Sequence, residues 1–165
     1  LGTLGFTLYY SLGASMSIRI SYFLGQNDKA EALLAGKAGR NLLLLNATLS
    51  SMLFYFAGNV IVHLFTQDMA VISAALALLV PLVVYQYADA LQICYANALR
   101  ATQHVLPMTW SSAVAYLVVG MPAAYLMGFT LKGGVEGIFY SFAISLMVAA
   151  LLFAFFYHRF MKAKG

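Results

Sequence analysis

Charge is what this sequence has least of. Only 8% of its 165 residues are Asp, Glu, Lys or Arg, against about 25% in an ordinary soluble domain. So few charges cannot cover a water-exposed surface, and 63% of the residues are hydrophobic. Lipid must cover most of the outside. Cysteine is almost missing too. Cys94 stands alone in an apolar run, which excludes a disulfide framework and a thiolate metal cluster and leaves the role of a small buried hydrophobe. The formal net charge of +4 does not point to nucleic acid, because the basic residues lie singly at the ends of apolar runs and form no stripe. A starting signal is absent as well. The chain begins at Leu1 inside an apolar stretch with no charged segment ahead of it. That is unlike a secretory signal, and the expectation is a piece of a longer polypeptide.

What is present is a series of five long apolar segments, at about 1–24, 41–65, 69–99, 106–131 and 135–157. The first stops at Gly25-Gln26-Asn27-Asp28, and a short amphipathic stretch with Lys29, Glu31, Lys37 and Arg40 follows. The second stops at Thr66-Gln67-Asp68 and the third at Arg100; the fourth has Pro107 near its first turn, where a missing N–H costs nothing. A basic tail of His158, Arg159, Lys162 and Lys164 closes the chain. Each segment reaches the roughly 20 residues that a helix needs to cross the hydrocarbon layer. The runs lack the alternation and turn spacing of strands. The expectation is an all-α, polytopic transmembrane helix bundle of five spans.

The charges orient it. Lys29, Lys37 and Arg40 fall in the first connection, Arg100 and His104 in the third, and Arg159, Lys162 and Lys164 in the tail. The second connection has Asp68 and no Lys or Arg, and the fourth has Lys132 and Glu136. The basic side should be cytoplasmic, which puts the amino terminus outside and the carboxyl terminus inside. Arg19, one turn before the cytoplasmic end of the first span, can snorkel toward phosphates. Small residues recur every fourth position at Gly13, Ser17 and Ser21 and at Gly120, Ala124 and Gly128, a spacing that lets helix backbones approach closely. Pro81 and Pro122 each remove a backbone bond and can bend their helices.

Asp89 is the only acidic residue in the interior of an apolar span, since Glu136 stands at the very start of the last one. A carboxylate there is costly, so it should face the bundle interior or water, and it is a functional candidate by default. At about 100° per residue, Tyr85, Gln86, Gln92 and Ala96 lie within roughly 60° of it, while Val83, Val84 and Leu91 lie opposite. Such a face is either a polar seam between helices or a site that exchanges a proton for a metal ion, sodium included, or an organic cation. Asn46, Ser50, Asn59 and His63 are further polar residues within spans; the asparagines suit interhelical bonding and the histidine an interface. Among the tyrosines, Tyr10 and Tyr116 sit at mid-depth and are candidates to line a cavity and hold cations on their ring faces. No nucleophile elbow, phosphate loop or metal-cluster motif is present, so no enzyme is expected.

Two stretches resemble the MATE family, the multidrug and toxic compound extrusion transporters. One is Ser15-Met16-Ser17-Ile18-Arg19-Ile20-Ser21 followed by Gly25-Gln26-Asn27-Asp28-Lys29-Ala30. The other is Tyr85-Gln86-Tyr87-Ala88-Asp89-Ala90-Leu91-Gln92 followed by Ala98-Leu99-Arg100-Ala101-Thr102, with Ala101 where the family often has Gly. Pro107, Gly120-Met121-Pro122 and Gly134-Val135-Glu136-Gly137-Ile138 continue it. The family's fold has twelve helices in two six-helix lobes, and the resemblance implies that residues 1–165 are helices eight to twelve, a partial C-terminal lobe. It implies a secondary antiporter in a bacterial inner membrane, exporting small organic cations in exchange for sodium or protons, with no cofactor beyond the coupling ion. In NorM-like members an acidic residue of the tenth helix binds the cation, and Asp89 matches it. Tyr85, Gln86 and Gln92 would support it, and Tyr10, Asn46 and Tyr116 would line the cavity. The missing N-terminal lobe and the seventh helix would be its partners, beside membrane lipid. A lipid-linked polysaccharide flippase of the same superfamily is an alternative, weakened because only Arg19 offers a cation within a span; a non-transporting membrane subunit is another.

Overall fold

The residues from Lys29 onward are strong helix formers, and no proline interrupts them before Pro81; helix propensity therefore carries through the amphipathic stretch into the apolar one. In the computed structural model the two form a single helix, α2, Lys29–Phe65. Its 37 residues extend about 55 Å, more than the roughly 30 Å hydrocarbon thickness, so the turns carrying Lys29 and Lys37 can stand in the headgroup layer. The preceding helix, α1, is Gly2–Gly25. Between them Asn27 takes a positive φ of 60° and the Asp28 carboxylate accepts the Glu31 N–H at 3.1 Å, which caps the new helix. The structure describes residues 2–65, 67–131 and 133–163. Leu1, Thr66, Lys132 and Lys164, which entered the expectations above, lie outside the described residues, as does the Asn59 side chain.

The third apolar segment is bent. It consists of α3, Met69–Ala77, and α4, Leu79–Ala101, at 42° to each other. Pro81 explains the break, because it has no N–H to offer the Ala77 carbonyl four residues back; the ladder resumes with Leu82 N–H to Leu78 O at 2.9 Å. The fourth segment starts as α5, Val105–Ala113, and passes through a wide-turn stretch, Val114–Gly120, to a short α6, Met121–Tyr125, and a second wide-turn stretch, Leu126–Thr130. In the wide turns the bonds reach five residues back, as from Met121 N–H to Tyr116 O and from Leu131 N–H to Leu126 O at 2.8 Å. Such stretches are rare and often mark functional positions. The last helix, α7, is Gly134–Ala163.

Among the described residues, α2, the fourth segment and α7 are long and apolar enough to cross a membrane, and the bent α3–α4 pair passes the same test when its two helices are taken together, which gives up to four spans. The expected fifth, α1, has the length but falls short in apolarity, because Arg19 and its serines and tyrosines dilute it. It nevertheless lies alongside α4. Gly13 sits against Ile93 and Asn97, and Ser21 Oγ reaches Ala101 O at 3.4 Å, so the two helices run in the same direction. By the same logic α2 runs opposite, with Gly39 against Met16 and Gly58 against Leu79. Tyr85 meets Phe139 and Tyr95 meets His158, which sets α7 parallel to α4. The fourth segment opposes α7, with Gly120 against Ser145 and Gly128 against Ile138. This alternation brings the ends bearing Lys29, Arg100, His104, Arg159 and Lys162 to one end of the bundle.

The bundle encloses a set of polar residues within an apolar core and is apolar outside. Ser51, Gln86, Asp89, Asn97, Ser111, Ser141 and Ser145 are buried, while Leu45, Leu49, Leu53 and Phe56 of α2 and Leu106, Trp110, Leu117 and Val118 of the fourth segment are exposed. Water would not tolerate that surface; lipid requires it. The protein is an all-α integral membrane bundle.

Candidate functional site

Helix α4 occupies the centre, with twelve of its 23 residues buried. Ala88, Ala90, Ala96, Ala98 and Ala101 supply much of that burial, and their small side chains let neighbouring helices close in. Gly13 does the same from α1: a methyl group there would come within 2.7 Å of Asn97 Nδ2. Asn97 is tied to its own helix through Ile93 O at 2.9 Å. Cys94 is buried with its Sγ 3.9 Å from Met16 Sδ, a packing role.

Asp89 is 8% exposed. Among the described residues no hydrogen bond or ion pair satisfies its carboxylate. Three tyrosines from three elements lie within its electrostatic reach: Tyr9 of α1, Tyr85 of α4 and Tyr116 of the first wide-turn stretch. The Tyr9 hydroxyl is buried, has no hydrogen-bond partner among the described residues, and lies within the field of the Asp89 carboxylate. Tyr85, one turn before Asp89, is half-buried and meets Phe139 edge-on at 6.4 Å between ring centres. Tyr85 and Tyr116 also border a groove of about 400 Å³ between the fourth segment and α7, whose other walls include Gly120, Ala124, Phe142 and Ser145. The row of small residues read as a packing stripe therefore does two things. Gly120 packs on Ser145, and Ala124 keeps the groove open.

The remaining expected residues divide. Gln86 is buried beside Asp89, but its Oε1 accepts a bond from Ser51 Oγ at 3.0 Å. With Tyr87 OH donating to Thr48 Oγ1 at 3.0 Å, it forms a polar seam that fastens α4 to α2. Gln92 is half-buried one turn beyond Asp89. Asn46 is half-buried on α2, with its Nδ2 buried and without a partner. Tyr10 is 53% exposed, rotated about 100° from Tyr9 and outside the cluster. Tyr9 is the residue that sequence reasoning passed over. The stripe Gly13, Ser17, Ser21, carried one step back, falls on it.

The chemistry of this set is hard oxygen donors, a carboxylate with phenol hydroxyls, beside aromatic faces. Oxygen donors suit a hard cation or a proton; aromatic faces suit an organic cation. Among the described residues no group of three His, Cys, Asp or Glu side chains could hold a transition metal.

The family model described as MatE matches residues 1–126, a stretch that contains Tyr9, Tyr85, Asp89 and Tyr116. Over 154 residues the chain is 30% identical to the multidrug resistance protein NorM of Vibrio vulnificus strain YJ016, covering 91% of this chain and 34% of that protein. It is 30% identical over 155 residues to the NorM of Vibrio cholerae, with 91% and 34% covered. It is 33% identical over 154 residues to that of Vibrio parahaemolyticus, with the same coverage. The chain thus spans about a third of the length of these curated relatives.

Proposed function

This chain belongs to the MatE family, and from that premise we propose that it is the larger part of the C-terminal lobe of a secondary antiporter that exports organic, often cationic, compounds in exchange for sodium ions or protons. Asp89 carries the reading. A carboxylate at the middle of a span costs about 2.5–3.5 kcal/mol on insertion scales, and this one has no protein partner among the described residues to offset the cost. A cation that comes and goes supplies the missing partner. The Tyr9, Tyr85 and Tyr116 hydroxyls can complete its oxygen shell, and the groove beside Tyr85 and Tyr116 can receive an organic cation on aromatic faces. Coupling ion and drug then compete for one negative charge, which is the condition for exchange.

The relatives' name, multidrug resistance protein, supports export as the direction. In this reading the basic end of the bundle faces the cytoplasm, the end at which α1 starts faces outward, and the membrane is a bacterial inner membrane. Alternating access rocks this lobe against an N-terminal lobe, which with the seventh helix is its partner. The protein is a transporter rather than an enzyme and uses no cofactor beyond the coupling ion.

The test is transport by the full-length protein in liposomes, with and without Asp89→Asn. Efflux of a cationic dye driven by an imposed sodium or pH gradient should fall to the level of protein-free liposomes, while the variant stays folded by gel filtration. Unchanged efflux with unchanged ion dependence removes Asp89 from the mechanism.

A further inference from the structure

At the basic end, the α1–α2 turn and the α4–α5 turn meet the end of α7 over a second cavity, of about 260 Å³. Its lining includes the polar Ser21, Asn27, Lys29, Gln103 and His104 and the apolar Leu24, Phe160 and Met161. None of these residues belongs to the Asp89 cluster.

Two features set this cavity apart. The first is backbone conformation. Asn27 at φ 60° and Gln103 at φ 62° are the non-glycine residues with positive φ among the described residues, and both line this one cavity. Each is the left-handed residue that ends a helix, α1 at Asn27 (N–H to Leu24 O, 3.1 Å) and α4 at Gln103 (N–H to Arg100 O, 3.0 Å), a common way for a helix to stop, and the two endings bring both amide side chains to one cavity. The second is the fixing of His104. Its ring stacks on Phe160 at 3.8 Å with 17° between planes, and its Nδ1 lies 2.7 Å from Thr102 O. A carbonyl oxygen only accepts, so Nδ1 carries the proton and donates, which leaves Nε2 for another partner.

Charge and depth identify the ligand class. Lys29 lines the cavity, and Arg100, Arg159 and Lys162 stand on the neighbouring chain ends. The acids at this end are Asp28, whose carboxylate is engaged with the Glu31 N–H, and Glu31. The surplus is positive. The cavity lies where α1 and α4 end and α2 begins, the level at which a bilayer presents phosphates. Its lining is part polar and part apolar. A soluble anion has no use for the apolar part, whereas a lipid head continues into glycerol and chains.

We propose that this cavity binds the phosphodiester head of an anionic phospholipid, with Lys29 on the phosphate, the Asn27 and Gln103 amides on head-group oxygens, His104 Nε2 accepting from a head-group hydroxyl, and Phe160 and Met161 against the glycerol. The site is independent of the transport reading; it requires only that the bundle sits in a membrane.

The test is native mass spectrometry of the full-length protein in detergent, titrated in parallel with phosphatidylglycerol, phosphatidylcholine and soluble glycerol 3-phosphate. Phosphatidylglycerol should be retained on the wild type in preference to phosphatidylcholine, and Lys29→Gln combined with His104→Ala should lose it. Lys37→Gln, at the same end but not on the cavity wall, should keep it. Gln103→Gly guards against a folding artefact, because glycine suits the positive φ while the amide is removed; its lipid affinity should fall about fivefold, the effect of one lost hydrogen bond. Equal retention by the double variant overturns the proposal. So does equal loss in Lys37→Gln, which would mean diffuse surface charge, or binding of glycerol 3-phosphate as tight as that of the lipid, which would mean a soluble anion site.

Discussion

The two sides of α4 are built differently. On one side α1 and α2 press against it through glycine and alanine. Gly13 leaves no room for a methyl beside Asn97 of α4, and Gly39 of α2 leaves none beside Met16 of α1, so α1 and α2 close on each other as well; the Ser51–Gln86 and Tyr87–Thr48 bonds stitch the seam between α2 and α4. On the other side the fourth segment winds in wide turns, and a groove of about 400 Å³ stays open between it and α7. Asp89 lies where the two meet, within reach of Tyr9 from the tight side and Tyr116 from the open side. The difference teaches how a membrane bundle holds a charge in place and still gives it access: one wall is packed so that the carboxylate cannot move, and the other is left unfilled so that something can reach it.

The largest expected effect tests that contrast directly. Gly13→Leu forces a side chain into the α1–α4 contact and should cost about 3 kcal/mol, the upper end of typical overpacking penalties. Ala124→Leu adds a side chain of the same type to the open groove and should cost less than about 1 kcal/mol while cutting dye efflux. Thermal unfolding of the purified full-length variants, followed by gel filtration, reads the first quantity, and liposome efflux reads the second. Equal destabilisation by both changes would erase the distinction between the two walls.

A smaller effect sharpens the role of the residue between them. Asp89→Asn keeps the shape and removes the unpaired charge, so it should raise stability by about 1 kcal/mol while abolishing ion-coupled efflux. A gain in stability with a loss of activity is the usual signature of a group retained for function. A stability loss would instead make Asp89 a member of the structural seam.

How much of this was legible in the sequence depends on what each residue reports. The absence of charge revealed the membrane, and the positions of Lys29, Arg100 and Arg159 revealed which helix ends lie together, because lipid punishes charge wherever it falls. Pro81 marked the bend, since a missing N–H is a local fact. The wide turns were not legible: Pro122 signals a disturbed ladder but not that the bonds shift to five residues back. The continuity of α2 through Arg40 was hidden by its change from amphipathic to apolar, which alters the solvent and not the helix. At the site, Asp89 and its face were visible from helical spacing. The choice between Tyr9 and Tyr10 was not, because two adjacent tyrosines at the same depth differ only in rotation, and rotation is set by where Gly13 packs.

The smallest effect lies in the seam. Ser51→Ala removes the donor to Gln86 Oε1, a bond of 3.0 Å in a buried contact. In water such a deletion leaves an unsatisfied group and costs about 1–3 kcal/mol. In a bilayer the loss averages about 0.6 kcal/mol, because the separated helices also find partners for their polar groups. The seam has a second bond, Tyr87 to Thr48, and it keeps its register when the first is lost. Ser51→Ala should therefore lower the unfolding free energy by about 0.6 kcal/mol and leave ion-coupled efflux unchanged. If it instead reduces the apparent affinity for the coupling ion, Gln86 faces Asp89 in the working state, and the tight wall contributes a ligand as well as a frame.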